Sequence, residues 1–581
     1  MEVDWRDRFR APAVTFAQVA RDEASRGVVI TDIADKFQAY AWDRSRGSIR
    51  QVTDAKGAII ASAISRDGNW IYAMVENEAG TEIGHLHRFS FDGSYSEDVT
   101  PGLPYYTSFG FAPTLSGLVA VAGIEGKQAL LVVDAETVRV IHVPSLVQGL
   151  AVTKDGTRAA VTMTTPGQGM VPMMHVLDLE SEEVLYELPN MRGGAILDEQ
   201  VAVSYVDGEW AAPAIWSDGS VTPLKVRLDG SVTPVDWSED GSTILLSQSF
   251  RSSSQLHLYH VETGEVTQLI SPPGATYPMS YPSLVDAQRA LSIWSDANNP
   301  WRVFELGPEG YEVSLQLEEQ KTFPGPLWEE FTFSSTGGIE IQGWLLRPER
   351  EGPWPTILYT HGGPTSVSGP SFAPISSAWY DSGFAVAAIN YRGSTTFGES
   401  FREALTGNLG GPDVEDVVAA RNWLVDQGIA EPDSIVKNGY SYGGYLTLQG
   451  LGTHPDLWAA GVAGAPIADW KMAYEDSNDV LKGYFVSMWG GTPDELGEAM
   501  VKGSPLTYAA NYEAPLLISQ PEGDSRTPLR PVRTFVETLK ENGKEVDLRI
   551  MSAGHAGAGI SQTIEMMESW IDFAKRAVGL A

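Results

Sequence analysis

Asn438-Gly-Tyr-Ser-Tyr-Gly-Gly-Tyr445 sets one serine among glycines and tyrosines. A surface loop can have this composition, and so can a sharp turn that exposes a single serine oxygen. The flanks separate the two. Ile435-Val436 before the run is apolar, and an apolar helical stretch starts at Gly444. Gly439-Tyr440-Ser441-Tyr442-Gly443 is therefore a G-x-S-x-G between a strand and a helix, the setting that lifts a serine hydroxyl into a cleft. Glycines on both sides let strand and helix approach where a Cβ would clash. The start of a helix also favours negative charge developing nearby.

A serine hydroxyl is a poor nucleophile until a base takes its proton. In this kind of turn the partners follow in the order serine, acid, histidine. Only His454 and His555 come after Ser441. His454, just before Pro455, reads as a helix-end residue. His555 follows the last strand in the glycine-rich Ser552-Ala-Gly-His-Ala-Gly-Ala-Gly559, where an imidazole can reach over the sheet edge. The acid must lie between them and after a strand. Asp524, beyond the buried run Pro515-Leu-Leu-Ile-Ser-Gln520 and next to Gly523, is the first choice, and Glu522 is the alternative. Its role is to hold His555 in one tautomer and to stabilise the imidazolium. The oxyanion donors expected from the pattern are the Tyr442 N–H and the N–H of Gly363, in His361-Gly362-Gly363-Pro364 after an earlier strand. His361 reads as a prop of that loop.

Around this turn, from about residue 323, buried strands alternate with amphipathic helices. The strands include Pro355–His361, Phe384–Tyr391, Ser434–Ser441 and Glu545–His555; the helices include Asp413–Gly428 and Pro531–Gly543. That rhythm implies a mostly parallel sheet with helices on both faces. Ligands on such sheets bind beyond the carboxyl ends of the strands. Asp413 and Asp416 read as an N-terminal cluster stabilising the Asp413–Gly428 helix.

The first part of the chain has another rhythm. A turn followed by a short apolar strand recurs from Ala24, Ser65, Ala112, Thr153, Ile196, Ser238 and Leu284. Spacings of about 40 to 50 residues are what a seven-bladed β-propeller of four-stranded units requires. A pair of large β-sandwiches is the alternative. The scattered Asp-Gly pairs are hairpin turns rather than calcium ligands. The expected division is an N-terminal segment at 1–20 packing on the C-terminal domain, a propeller at 21–318 and a catalytic domain at 319–581.

Composition narrows the partners. At 581 residues the chain exceeds one ordinary core. A formal charge of −35 opposes nucleic acid, whose phosphates such a surface repels. No apolar run approaches the roughly 20 residues that span a bilayer, so no membrane partner is expected. The charged opening Met1-Glu-Val-Asp-Trp-Arg-Asp-Arg-Phe-Arg10 lacks the apolar core of a secretory signal, and cysteine is absent. Both fit a cytoplasmic location. Nothing calls for a metal or organic cofactor.

Thr360-His-Gly-Gly-Pro364, Ile389-Asn-Tyr-Arg-Gly-Ser-Thr-Thr-Phe-Gly398, the turn around Ser441, Gly464-Ala-Pro-Ile-Ala-Asp-Trp470, Gly523-Asp-Ser-Arg-Thr-Pro-Leu-Arg-Pro531 and Ser552-Ala-Gly-His-Ala556 occur in order. Together they resemble the prolyl oligopeptidase family of serine peptidases over about residues 320–581, and most of all its acylaminoacyl-peptidase branch. The resemblance implies an α/β-hydrolase domain capped by a β-propeller, with the site in a cavity between them that admits short peptides. It implies Ser441, Asp524 and His555 as the triad and Gly363 and Tyr442 as oxyanion donors. Arg526 matches an arginine that helps hold substrate, although it could serve only to tie down the acid loop. Ile467 and Trp470 match positions lining the pocket for the residue before the scissile bond, although Trp470 could equally be core. Two departures, Gln520-Pro-Glu522 where many relatives carry a histidine and the small residues after His555, leave the shape of the site open. Such enzymes often self-associate, so a homo-oligomer is within the expectation.

The leading expectation is thus a serine hydrolase cleaving short or N-acylated peptides. The alternatives are an esterase or amidase for small molecules, peptide-like antibiotics included, and a dipeptidyl-peptidase. The last should anchor a free amino terminus with paired acids. Glu182-Glu183, Glu318-Glu319 and Glu329-Glu330 are the pairs to hand. A catalytically inert hydrolase domain beneath a binding propeller is the non-enzymatic reading.

Overall fold

The computed structural model describes residues 4–580 apart from 136, 166–167, 278–280, 319 and 557. Glu319, half of one acidic pair and the first residue of the expected catalytic domain, lies outside the described residues. So does Gly557, two residues after His555.

Seven sheets follow one another in chain order, six of four strands and a last one of five. Their first strands begin at Val14, Ser62, Thr107, Val147, Met191, Ser231 and Ala275. Each blade is built from consecutive strands, which is a seven-bladed propeller and not a sandwich. The first blade starts with Val14–Val19, inside the stretch set aside as an N-terminal segment, because this short strand pairs with Arg26–Thr31. The Asp-Gly turns are structural, as expected. Ser65–Asp67, Thr153–Asp155 and Ser238–Asp240 each close one with a hydroxyl-to-carboxylate bond of 2.5, 2.7 and 2.7 Å. The following Gly68, Gly156 and Gly241 take φ of +70°, +77° and +74°, which a side chain would oppose. Among the described residues no strand is exchanged between the first and last blades. Their seam is packed by Trp42, Leu291 and Val303 and crossed by the Arg44–Glu305 ion pair.

The C-terminal sheet has eight strands, in the spatial order Glu329–Ser334, Glu340–Leu346, Ala385–Asn390, Thr356–Thr360, Ile435–Tyr440, Ala460–Gly464, Leu516–Pro521 and Val546–Met551. The first two pairings are antiparallel and the remaining five parallel. The central strands are buried on both faces because helices cover them, and most of their side chains are apolar; Lys437 and Asn438 are buried exceptions. Neighbours on a strand point to opposite cores: Leu358 and Ala387 join one, Ile357 and Val386 the other. The second core holds Trp379 and Trp570. It also receives Phe9 of the short helix Trp5–Arg10, whose Arg8 pairs with Asp381 at 3.2 Å. Chain start and hydrolase core are thereby packed together. No helix among the described residues is long and apolar enough to cross a membrane.

Candidate active site

Ser441 sits between strand Ile435–Tyr440 and helix Tyr442–Thr453 at φ +59°, ψ −123°, a backbone position costly for any residue but glycine. The neighbouring glycines show what enforces it. A Cβ on Gly439 would lie 2.4 Å from the carbonyl carbon of Gly443, and one on Gly443 would lie 2.0 Å from the Thr360 oxygen. One on Gly444 would meet the Gly464 oxygen at 2.5 Å. All three contacts are to backbone, which cannot swing away. Gly443→Ala is therefore expected to destabilise the fold by about 3 kcal/mol, read as a lower unfolding temperature together with loss of hydrolysis.

His555 and Asp524 both reach this turn. His555 Nε2 lies 3.0 Å from Ser441 Oγ, and Nδ1 lies 2.7 Å from Asp524 Oδ2. Asp524 is buried and also accepts from the Thr527 N–H and hydroxyl, both at 2.8 Å, and from the Arg526 N–H at 2.9 Å. Burial presses its pKa up, but the His555 imidazole and the Thr527 hydrogen bonds outweigh that and hold the carboxyl below its ordinary value. Tyr440 steadies the histidine loop, its hydroxyl donating to the His555 carbonyl at 2.9 Å. Glu522 is exposed, and His454 contacts Thr453 at the end of its helix.

The loop of His361 to Pro364 lies against the serine. A Cβ on Gly362 would come within 3.2 Å of the Ser441 Cβ, and Gly363 has φ +121°. His361 is fixed by Ser394 Oγ at 2.9 Å, and burial lowers its pKa to about 4, so it stays neutral as a prop. The Tyr442 hydroxyl donates to Asp413 Oδ2 at 2.6 Å. Asp413 is buried, and that burial pushes its carboxyl up to about 6. Asp416 is equally buried and pairs with Arg392 at 2.8 Å. The reading of these two acids as a simple helix-start cluster is thus incomplete: Asp413 anchors Tyr442, the residue next to Ser441.

Ser441 opens into a cavity of about 990 Å³ between propeller and hydrolase domain. Ile467 and Trp470 line it, and Trp470 is also core, edge-on to Tyr445, Phe485 and Trp489 at 5.1, 5.3 and 5.7 Å. Trp470 is thus both cavity wall and core. The helix Asp479–Trp489 adds Leu481, Phe485 and Met488 to the wall, an i, i+4, i+7 face the sequence reading did not single out. Propeller contacts hold this helix: Asp479 Oδ2 accepts from the Gly126 N–H at 2.7 Å, and Gln128 donates to the Asp479 carbonyl at 3.0 Å.

Arg526 also lines the cavity, and its Nε donates to Glu82 Oε2 at 2.7 Å. Glu82 belongs to a propeller loop that presses on the loops carrying Asp524 and His555. Gly80 packs so closely on Gly554 that a Cβ on either would overlap the other's backbone, and Gly523 faces the Ala79 carbonyl. Glu76 ties this loop together by accepting from the N–H groups of Gly80 and Glu82. No sequence signal marks Glu82 among 75 acidic residues.

A family model described as the prolyl oligopeptidase family matches residues 370–581. The uncharacterized peptidase YuxL of Bacillus subtilis (strain 168) is 33% identical over 335 residues, covering 52% of this chain and 49% of the relative. Acylamino-acid-releasing enzyme 2 of Oryza sativa subsp. japonica is 25% identical over 352 residues, covering 53% and 44%. The chain thus spans about half the length of these curated relatives. Among solved structures, a puromycin-hydrolyzing peptidase of Mycobacterium tuberculosis superposes with a TM-score of 0.83 at 17% identity, covering 100% of this chain and 96% of that one. At that identity the likeness concerns the fold, and it extends through propeller and hydrolase domain alike. The C-terminal domain of this chain, over residues 370–581, belongs to the prolyl oligopeptidase family.

Proposed function

We propose that this chain is a serine peptidase acting on short peptides, and that it releases an N-acylated residue from their amino ends. Ser441 Oγ attacks the carbonyl while His555 Nε2 takes its proton. The N–H groups of Tyr442 and Gly363 receive the oxyanion, and Asp524 balances the imidazolium. His555 then returns the proton to the leaving amine, and water, activated by the same imidazole, releases the acyl group. Ile467, Trp470 and Phe485 offer an apolar wall to the side chain before the scissile bond.

One observation carries the preference for a blocked amino end. Among the described residues no aspartate or glutamate lines the cavity, so no carboxylate there awaits an ammonium group. Glu182, Glu183, Glu318, Glu329 and Glu330 are all exposed, and Glu82, which does not line the cavity, accepts from Arg526 through Oε2 while its Oε1 is buried without a partner among the described residues. A second reading, an amidase for small aminoacyl conjugates, draws support from the full-length likeness to the puromycin-hydrolyzing peptidase.

A parallel rate comparison separates these readings. An N-acetyl-aminoacyl anilide should outpace a free-amine dipeptidyl anilide, puromycin and a short-chain nitrophenyl ester in kcat/KM. Preference for the free amine would overturn the blocked-end reading. Preference for puromycin would move the assignment to the amidase, and turnover of the ester alone would leave a hydrolase without peptidase activity.

A further inference from the structure

The cavity inverts the charge of the chain around it. The protein carries 75 acidic residues against 40 lysines and arginines, yet among the described residues the Asp, Glu, Lys and Arg side chains lining the cavity are Arg192, Arg402 and Arg526. Arg526 is engaged by Glu82 of the second blade. Arg192 stands on Met191–Leu197, the first strand of the fifth blade. Three blades apart in a ring of seven is the widest separation two blades can have, so Arg192 faces the cavity from the side opposite Glu82.

Arg192 is also poorly matched where it stands. Its nearest carboxylate oxygen, Glu399 Oε1, is 3.8 Å away, beyond hydrogen-bond reach. That glutamate is already held by Arg402 at 2.5 Å, and Arg402 also takes Glu403 at 2.7 Å. Among the described residues the Nη2 of Arg192 is buried without a hydrogen-bond partner. Burial first, and then the adjacent Arg402 cation, lower the Arg192 pKa to about 10. A buried guanidinium donor beside a second cation is a costly arrangement unless an anion completes it.

We propose that Arg192 and Arg402 form a carboxylate subsite that receives the free C-terminal carboxylate of the peptide being cleaved. This rests on the peptidase reading above and adds to it the feature recognised at the far end of the substrate. A guanidinium fork matches a carboxylate with two parallel hydrogen bonds, and a partly buried site strengthens them. With one peptide end at Ser441 and the other on the propeller side, the subsite favours substrates only a few residues long.

The test compares acetyl-Phe-Ala-Ala with its C-terminal amide and with acetyl-Phe-Ala-Glu amide, in the full-length chain. The free acid should exceed its amide by about tenfold or more in kcat/KM. In Arg192→Gln that ratio should fall towards one, and Arg402→Gln should lower it in the same direction. The ratio is internal to each enzyme, so a variant that only folds less well lowers both rates and keeps it. Equal cleavage of acid and amide by the unaltered protein would overturn the subsite while leaving the peptidase reading intact. Preference for the Glu amide over the free acid would overturn the assignment to the peptide end, and an unchanged ratio in Arg192→Gln would overturn the role of that residue. Turnover of a nitrophenyl ester with no cleavage of any of the three peptides would overturn the peptidase reading and the subsite with it.

Discussion

Ser441→Ala is expected to lower kcat by at least about 10⁴-fold while leaving the unfolding temperature unchanged. The loss follows from removing the oxygen placed to attack, since His555 Nε2 has Ser441 Oγ as its partner at 3.0 Å. The unchanged stability follows from the backbone. Alanine keeps the same Cβ at φ +59°, so the strain of the turn persists, and among the described residues the Oγ makes no hydrogen bond besides the one to His555. Ser441→Gly should be equally inactive but more stable, because glycine removes the penalty for positive φ. Loss of activity with retained or raised stability is the signature of a residue held in strain for chemistry. A fall in activity that tracks a fall in unfolding temperature would point to a structural serine instead.

Asp524→Asn should lower kcat by about 10⁴-fold near neutral pH, with a much smaller change in KM. The Thr527 and Arg526 N–H groups both donate to Oδ1, at 2.8 and 2.9 Å. An asparagine would keep its carbonyl oxygen there and turn its NH₂ towards His555 Nδ1. That nitrogen would then accept, Nε2 would carry the proton, and the imidazole could no longer take one from Ser441. The substitution also changes stability with pH. The folded-state pKa of Asp524 is depressed, so its ionised form contributes stability above the ordinary carboxylate value of about 4. That contribution is lost as pH falls through the lower folded value. Asp524→Asn should therefore show a shallower loss of unfolding temperature on acidification than the unaltered chain. An unchanged acid profile together with full activity would remove Asp524 from the site.

The parts legible in the sequence are those whose causes are local. The turn at Ser441 is readable because its glycines stand within a few residues of the serine between an apolar run and a helix, and the parallel sheet because most of its strands are short apolar runs alternating with helices. The propeller is readable because a turn and a short apolar strand recur at spacings of about 40 to 50 residues, three of the turns being Ser/Thr-x-Asp-Gly with their own internal hydrogen bond. His555 was found because only two histidines follow the serine. Other features depend on contacts far apart in the chain. Glu82 meets Arg526 across 444 residues, and Asp413 meets Tyr442 only once a helix start has been buried. The cavity face of Asp479–Trp489 looks like any amphipathic helix until the propeller fixes which side turns inward. Val14–Val19 is short, and only its pairing with Arg26–Thr31 makes it a blade strand.

The most direct test of the central claim is covalent labelling with an N-acetyl-aminoacyl diphenyl phosphonate, followed by mass mapping of the modified peptide. One adduct per chain on Ser441, formed in step with loss of hydrolysis and absent from Ser441→Ala, is the predicted result. Full activity after labelling, or inactivation with the adduct on another residue, would contradict it.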